Sequence, residues 1–273
     1  MIDYGLELAG FETAWQVEID PYCLAILGKN RPGVQKFADI RKCGVDNGEY
    51  TLGAVDLISG GFPCTDISIG GHGPGIGPRE SPTSRSGLWY EFHRVVREMQ
   101  PRWVIVENVS RLCHTTDGSQ VISDLEGEGY ACWPLVLETE VFGAPHPRPR
   151  TWILCCNDHS HGNCDIGEGV EFGKLPDDIE RAFAENCKHW DHWKRELGAG
   201  DDGKDGLAGQ SQSAAYGGGL RAIHGDTHWV DRVRCCGNSV VWLVPALLGS
   251  FIAESERVRE ARAAQGGFDP SAA

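Results

Sequence analysis

The sequence predicts an α/β domain built on a mostly parallel sheet. Three observations carry that expectation. Short apolar runs of strand length recur through the first half of the chain, segments with helical apolar spacing lie between them, and Gly- or Pro-rich turns separate the two. In chain order, Thr13–Ile19 reads as a strand ending in acids. Pro21–Gly28 follows as a helix, with Asp20 placed as its N-cap and proline at the first helical position. Ala54–Ser59 has a short buried-strand pattern, and a glycine-rich loop, Gly60 to Pro82, leaves it. Leu88, Phe92, Val95, Val96 and Met99 recur at helical spacing across Gly87–Gln100. Trp103–Val106 is another apolar strand and Val121–Gly129 a further helix. Ala131–Val141 and Thr151–Cys156 read as strands around a proline-arginine turn. From Asn157 to Gly219 the periodicity weakens, and Gly, Asp, Ser and His dominate, as in a small irregular domain or long loops. An apolar stripe returns from Val240 to about Arg262 as a helix, and Ala263–Ala273 reads as a frayed tail.

A chain of 273 residues can bury one good-sized core with a small appended region. It has no apolar run of about eighteen residues, so no transmembrane helix is expected. The opening MIDYGLELAG lacks the basic and apolar parts of a signal peptide, which points to the cytoplasm. The eleven cysteines are mostly scattered and form no CxxC pair. They are therefore expected to be largely reduced, buried thiols, not a disulfide framework or a zinc site. His159, His161 and Cys164 lie too close together and lack a fourth ligand, so no metal is expected. A net charge of −14 argues mildly against phosphate as a partner. The charge is uneven, however. Arg79, Arg85, Arg148, Arg150, Arg221, Arg232 and Arg234 gather outside the acidic stretch Asp165–Asp205, which leaves room for a local basic cleft.

Parallel sheets place ligands and chemistry beyond the carboxyl ends of their strands. Cys64 falls there after Ala54–Ser59, and Glu107 after Trp103–Val106. In Gly60-Gly61-Phe62-Pro63-Cys64-Thr65-Asp66-Ile67-Ser68, Gly and Pro flank the cysteine so that the backbone presents it. Arg148 and Arg150 flank Pro149, and alternation puts both on one side of an extended segment. Gly237-Asn238-Ser239 opens the last helix. Singly, each has a plain structural reading: an incidental cysteine in a turn, a polar turn residue, a solvated arginine pair, a helix cap.

In this order, PCTDIS, ENV, RPR before a strand and GNSVV before a helix resemble the ordered motifs of DNA (cytosine-5-)-methyltransferases. GLELAGFETAWQVEIDPYC, from Gly5 to Cys23, resembles that family's first helix and second strand. The likeness runs from Gly5 to about Phe251, with 157–219 matching only in position. It implies a Rossmann-like, S-adenosylmethionine-dependent methyltransferase fold. It also implies an enzyme that methylates carbon 5 of cytosine in double-stranded DNA, in restriction-modification or phage protection. By that resemblance Cys64 is the nucleophile that adds to carbon 6 of a flipped-out base. Glu107 hydrogen-bonds or protonates ring nitrogen 3. Arg148 and Arg150 steady the base edge and the catalytic loop. The glycine-rich loop Gly70–Pro82 is of a kind that can close over the base, its plain alternative being a disordered surface loop. S-adenosyl-L-methionine is implied as cofactor. Glu18 would grip its ribose hydroxyls, Asp39 would read its adenine amino group, and Ile40, Pro63, Leu88, Asn238 and Ser239 would line the pocket.

The domain plan expected is catalytic over 1–156, target-recognition over 157–234, and a helix returning to the catalytic domain over 235–273. Arg221 to Arg234, with Trp229, is the part expected near DNA. A monomer is expected. Three departures stand out. The family has a strand and an FxGxGG-like loop ahead of the first helix, whereas this chain starts inside that region. An upstream start is favoured over a genuine truncation. His146 stands where the family has glutamine, and the pair Cys235-Cys236 has no reading. The rival function is a catalytically impaired DNA-binding relative; a cysteine hydrolase ranks last, because no histidine falls in a recognised partner motif.

Overall fold

The structure is a computed structural model that describes residues 2–45, 48–63, 76, 87–139, 148–157 and 240–264. Helix α1 (Ile2–Leu8) leads into strand β1 (Trp15–Val17) and helix α2 (Pro21–Asn30). The carboxylate of Asp20 accepts hydrogen bonds from the amides of Tyr22 and Cys23 at 2.9 and 3.1 Å, so the predicted cap starts α2. Strand β2 (Gln35–Phe37) and a short 3-10 turn (Ile40–Lys42) follow, then β3 (Cys43–Gly44), β4 (Tyr50–Thr51) and β5 (Leu57–Gly61). Helix α3 (Leu88–Met99) precedes β6 (Trp103–Val109), and α4 (Thr116–Gly127) precedes β7 (Tyr130–Leu137) and β8 (Arg150–Asn157). Helix α5 (Leu243–Ala264) closes the described chain.

The expected α/β class is what forms. Among the described residues, three of the five strand pairings are parallel (β1–β2, β3–β4 and β5–β6), and the two that are not both involve β8. The largest sheet has the order β5-β6-β8-β7, so β8 inserts antiparallel between β6 and β7. Several boundaries shift by a few residues from expectation, β6 running on to Val109 so that Glu107 lies within it, and two of the shifts have local reasons. Strand β5 begins at Leu57, in register with Trp103 where β6 starts, so Ala54–Asp56 stays outside the ladder. Helix α4 starts five residues before Val121, because the Thr115 side chain accepts from the Gly118 amide and caps a polar first turn.

Strand β6 is apolar on both faces because both faces are covered. Val104 and Val106 join a core with Trp89, Phe92 and Val96 of α3 and Leu125 of α4. Trp103 and Ile105 point the other way, into a core with Leu6 of α1 and Val244, Leu248 and Ile252 of α5. The indole of Trp103 and the guanidinium of Arg102 both donate to Glu256, tying α5 to the start of β6.

Helix α1 lies so close to α5 that a β-carbon on Gly5 would collide with the Trp242 carbonyl and stand 2.8 Å from the Ala246 amide nitrogen. Gly→Ala in a helix normally gains about 1 kcal/mol of propensity. Overpacking against backbone, which cannot rotate away, costs about 1–3 kcal/mol. Gly5→Ala is therefore expected to lower the midpoint of chemical denaturation; an unchanged or raised midpoint would show that the two helices can part.

Among the described cysteines, Cys43, Cys113, Cys132 and Cys155 are free thiols, as expected. Cys23 and Cys156, by contrast, are disulfide-bonded. Among the described residues no helix is long and apolar enough to cross a membrane.

Candidate active site

The site grows from the carboxyl ends of β5 and β6. Gly61, the last residue of β5, is in register with Glu107 of β6. A β-carbon at Gly61 would stand 2.8 Å from the Glu107 carbonyl oxygen and 3.1 Å from Glu107 Oε2, so glycine is what lets the carboxylate lie against the neighbouring strand. One residue on, the buried Asn108 donates from Nδ2 to the Phe62 carbonyl at 3.2 Å, and its Oδ1 accepts the Val109 amide at 2.8 Å. That side chain ties the exit of β5 to the exit of β6. Pro63 comes next, half-buried. Cys64 lies outside the described residues, as do Asn238, Ser239, His146, the zinc candidates and all of the expected recognition region 157–234 except Asn157. Of the loop Gly70–Pro82 only Ile76 is described. It is buried, and its amide donates to Asp117 at 3.2 Å.

The arginine pair arrives at the start of β8, with Arg150 as its first residue and Arg148 just ahead of it. Arg150 Nε stands 3.2 Å from Glu107 Oε1, with both side chains mostly shielded. Arg148 is 8% exposed. Burial pushes the Glu107 carboxyl above its ordinary value, and the positive charges of Arg150 and then Arg148 oppose that without overcoming it. The native state therefore holds the Glu107 proton more tightly than the unfolded chain. The associated stability is fully present below the ordinary carboxylate value of 4.5 and is lost as pH rises through the raised value. Glu107→Gln, which cannot ionise, should gain stability relative to the parent as pH rises upward from about 4.5. Urea denaturation across that range checks this, and a difference that shrinks with pH would contradict it.

A second group forms at β1 and β2. Val17 and Phe37 are in register, and Glu18 and Asp39 follow them by one and two residues, so two acids leave adjacent parallel strands at the same edge. Glu18 Oε1 accepts the Asp20 amide at 2.8 Å. Asp39 caps the 3-10 turn and accepts from the Arg41 amide and guanidinium. The Arg41 hydrogen bond holds its carboxyl below the usual range against the effect of burial. Ile40 packs on the α3 side of the core, and Leu88 opens α3, half-buried.

The structure thus brings Glu107, Arg148 and Arg150 together, and places Glu18 beside Asp39. Two of the partners carry no functional signal in the sequence. Arg41 is an ordinary surface arginine in sequence. Glu138 accepts the Arg148 amide at 2.6 Å, with no signal beyond an acid at a strand end.

The family model for C-5 cytosine-specific DNA methylase matches residues 1–191. The chain belongs to that family. Among curated relatives, Type II methyltransferase M2.BsuMI of Bacillus subtilis (strain 168) is 32% identical over 160 residues, which is 56% of this chain and 38% of the relative. Type II methyltransferase M.PspPI of Psychrobacter sp. (strain TA137) is 34% identical over 160 residues, 55% of this chain and 35% of the relative. The chain therefore spans little more than a third of the length of these relatives. A solved structure, the S. pombe Dnmt2 methyltransferase, is similar with a TM-score of 0.44 and 18% identity, over 63% of this chain and 51% of that one. The methylase match includes α1 through β8 and therefore every described candidate residue.

Proposed function

We propose that this chain transfers a methyl group from S-adenosylmethionine to carbon 5 of cytosine in double-stranded DNA. The observation that carries the reading is the largely shielded carboxylate of Glu107, paired with Arg150 and lying against Gly61, three residues before Cys64.

Carbon 5 of cytosine is a weak nucleophile until something adds at carbon 6. In this reading the Cys64 thiolate forms a bond to carbon 6, and the ring's electrons move toward nitrogen 3. Glu107, whose hold on a proton is strengthened by burial, meets that charge by donating a proton there. Arg150 orients the carboxyl, and Arg148 adds positive charge beside it. After carbon 5 is methylated, loss of its proton, expulsion of the thiolate and return of the nitrogen 3 proton to Glu107 restore the aromatic ring. The base must leave the helix stack for this, at a cost of a few kcal/mol.

Paired acids at adjacent strand ends fit a group that offers ribose hydroxyls and an adenine amino donor. Glu18, Asp39, Ile40, Pro63 and Leu88, with Asn238 and Ser239, would hold S-adenosylmethionine, whose sulfonium supplies an electrophilic methyl. Residues 157–234 would read the DNA sequence. The relatives carry the names of type II methyltransferases, which favours a restriction-modification or protective role.

The test is incorporation of tritiated methyl from S-adenosylmethionine into duplex DNA, together with a duplex carrying 5-fluorocytosine. Fluorine cannot leave as a proton does, so a covalent complex should survive denaturation. A protein that shifts duplex DNA but transfers no label is a silent binder, and the proposal then fails.

A further inference from the structure

Chemistry at Glu107 requires Arg148 and Arg150, at the entry to β8, to stand at a set depth beside it, and the local sequence makes that hard to arrange. The register of β7 and β8 ends at Leu137↔Arg150. Beyond it, Pro147-Arg148-Pro149 offers the backbone one N–H donor, that of Arg148, because proline has none. That amide donates to Glu138 Oε1 at 2.6 Å, a short, charge-assisted bond across the two strand ends. The Arg148 side chain is almost entirely buried, and its charge reaches Glu107.

We propose that Glu138 is a positioning residue: by accepting the Arg148 amide it sets where the arginine pair enters the site and so tunes the protonation of Glu107. Glu138 is not placed on the base or the cofactor. It acts through the backbone of Arg148, and its catalytic consequence rests on the reading of Glu107 given above.

The test compares Glu138→Ala with Glu138→Gln, whose amide oxygen can accept the same N–H. The first readout is the titration of the Glu107 carboxyl followed by carbon-13 NMR, which needs no turnover. In Glu138→Ala the Arg148 charge is less well held, so Glu107 should titrate about half a pH unit or more higher. In methyl transfer, kcat should fall about tenfold, with KM for DNA within about twofold, as for a misplaced supporting group. Glu138→Gln should restore both. Should the alanine variant not fold, Glu138→Asp, one methylene shorter, should show the same direction of change in smaller measure. The inference is overturned if Glu107 titrates unchanged in the alanine or aspartate variant, or if glutamine behaves as alanine does. Glu107→Gln run alongside separates the two failures. Full transfer by that variant sinks the functional reading, while the titration still decides the role of Glu138.

Discussion

Cys64→Ala is expected to abolish methyl transfer, by at least about 10⁴-fold, while retaining binding to duplex DNA. The size of the effect follows from the chemistry. Without a nucleophile at carbon 6, cytosine has no route to an electron-rich carbon 5. A free thiol has a pKa of about 8.5, so only a small fraction is thiolate at neutral pH without activation. The chain delivers residue 64 from a strand whose last glycine lies against Glu107 and whose next carbonyl, that of Phe62, is held by Asn108. Two measurements check the expectation: label transferred to DNA, and the denaturation-resistant complex with 5-fluorocytosine. Both should vanish together. Transfer at the parental rate by Cys64→Ala would remove the covalent route altogether.

Glu107→Gln carries the second-largest effect, a fall in kcat of about 10²–10³-fold with KM for DNA little changed. Glutamine keeps the shape and can still donate a hydrogen bond toward the ring, but it has no proton to deliver as the sulfur adds. It also leaves Arg150 facing a neutral amide where it now meets a carboxylate at 3.2 Å. Single-turnover rates separate this chemical step from DNA binding and product release. A loss under about tenfold would mean that ring protonation comes from elsewhere and that Glu107 mainly anchors the arginines.

The parts of this site legible in the chain were those whose chemistry demands a residue type in a fixed order. A cysteine after a glycine-rich strand exit, an acid near the end of the next strand and arginines either side of a proline all lie within a few residues of an element that can be recognised by its apolar period. The β6 strand was readable because both its faces are buried, and α2 because Asp20 and Pro21 mark its start. Less was legible where the deciding partner is distant. The start of β5 depends on register with a strand more than forty residues later, and α4 begins in polar residues that no apolar stripe reveals. Arg41 and Glu138 looked like ordinary surface charges until the fold set each against its partner.

By itself the sequence determined the α/β class, the succession of its main elements and the kinds of chemical group available at the strand ends. These follow from side-chain period and covalent order, which belong to the chain before it folds. The tertiary structure alone decided that β8 runs antiparallel between β6 and β7, which is what carries Arg150 to Glu107 and Arg148 to Glu138. Pairing between remote strands leaves no periodic mark on either one. It arises only when backbone groups and apolar faces far apart in the chain must satisfy one another in a single core.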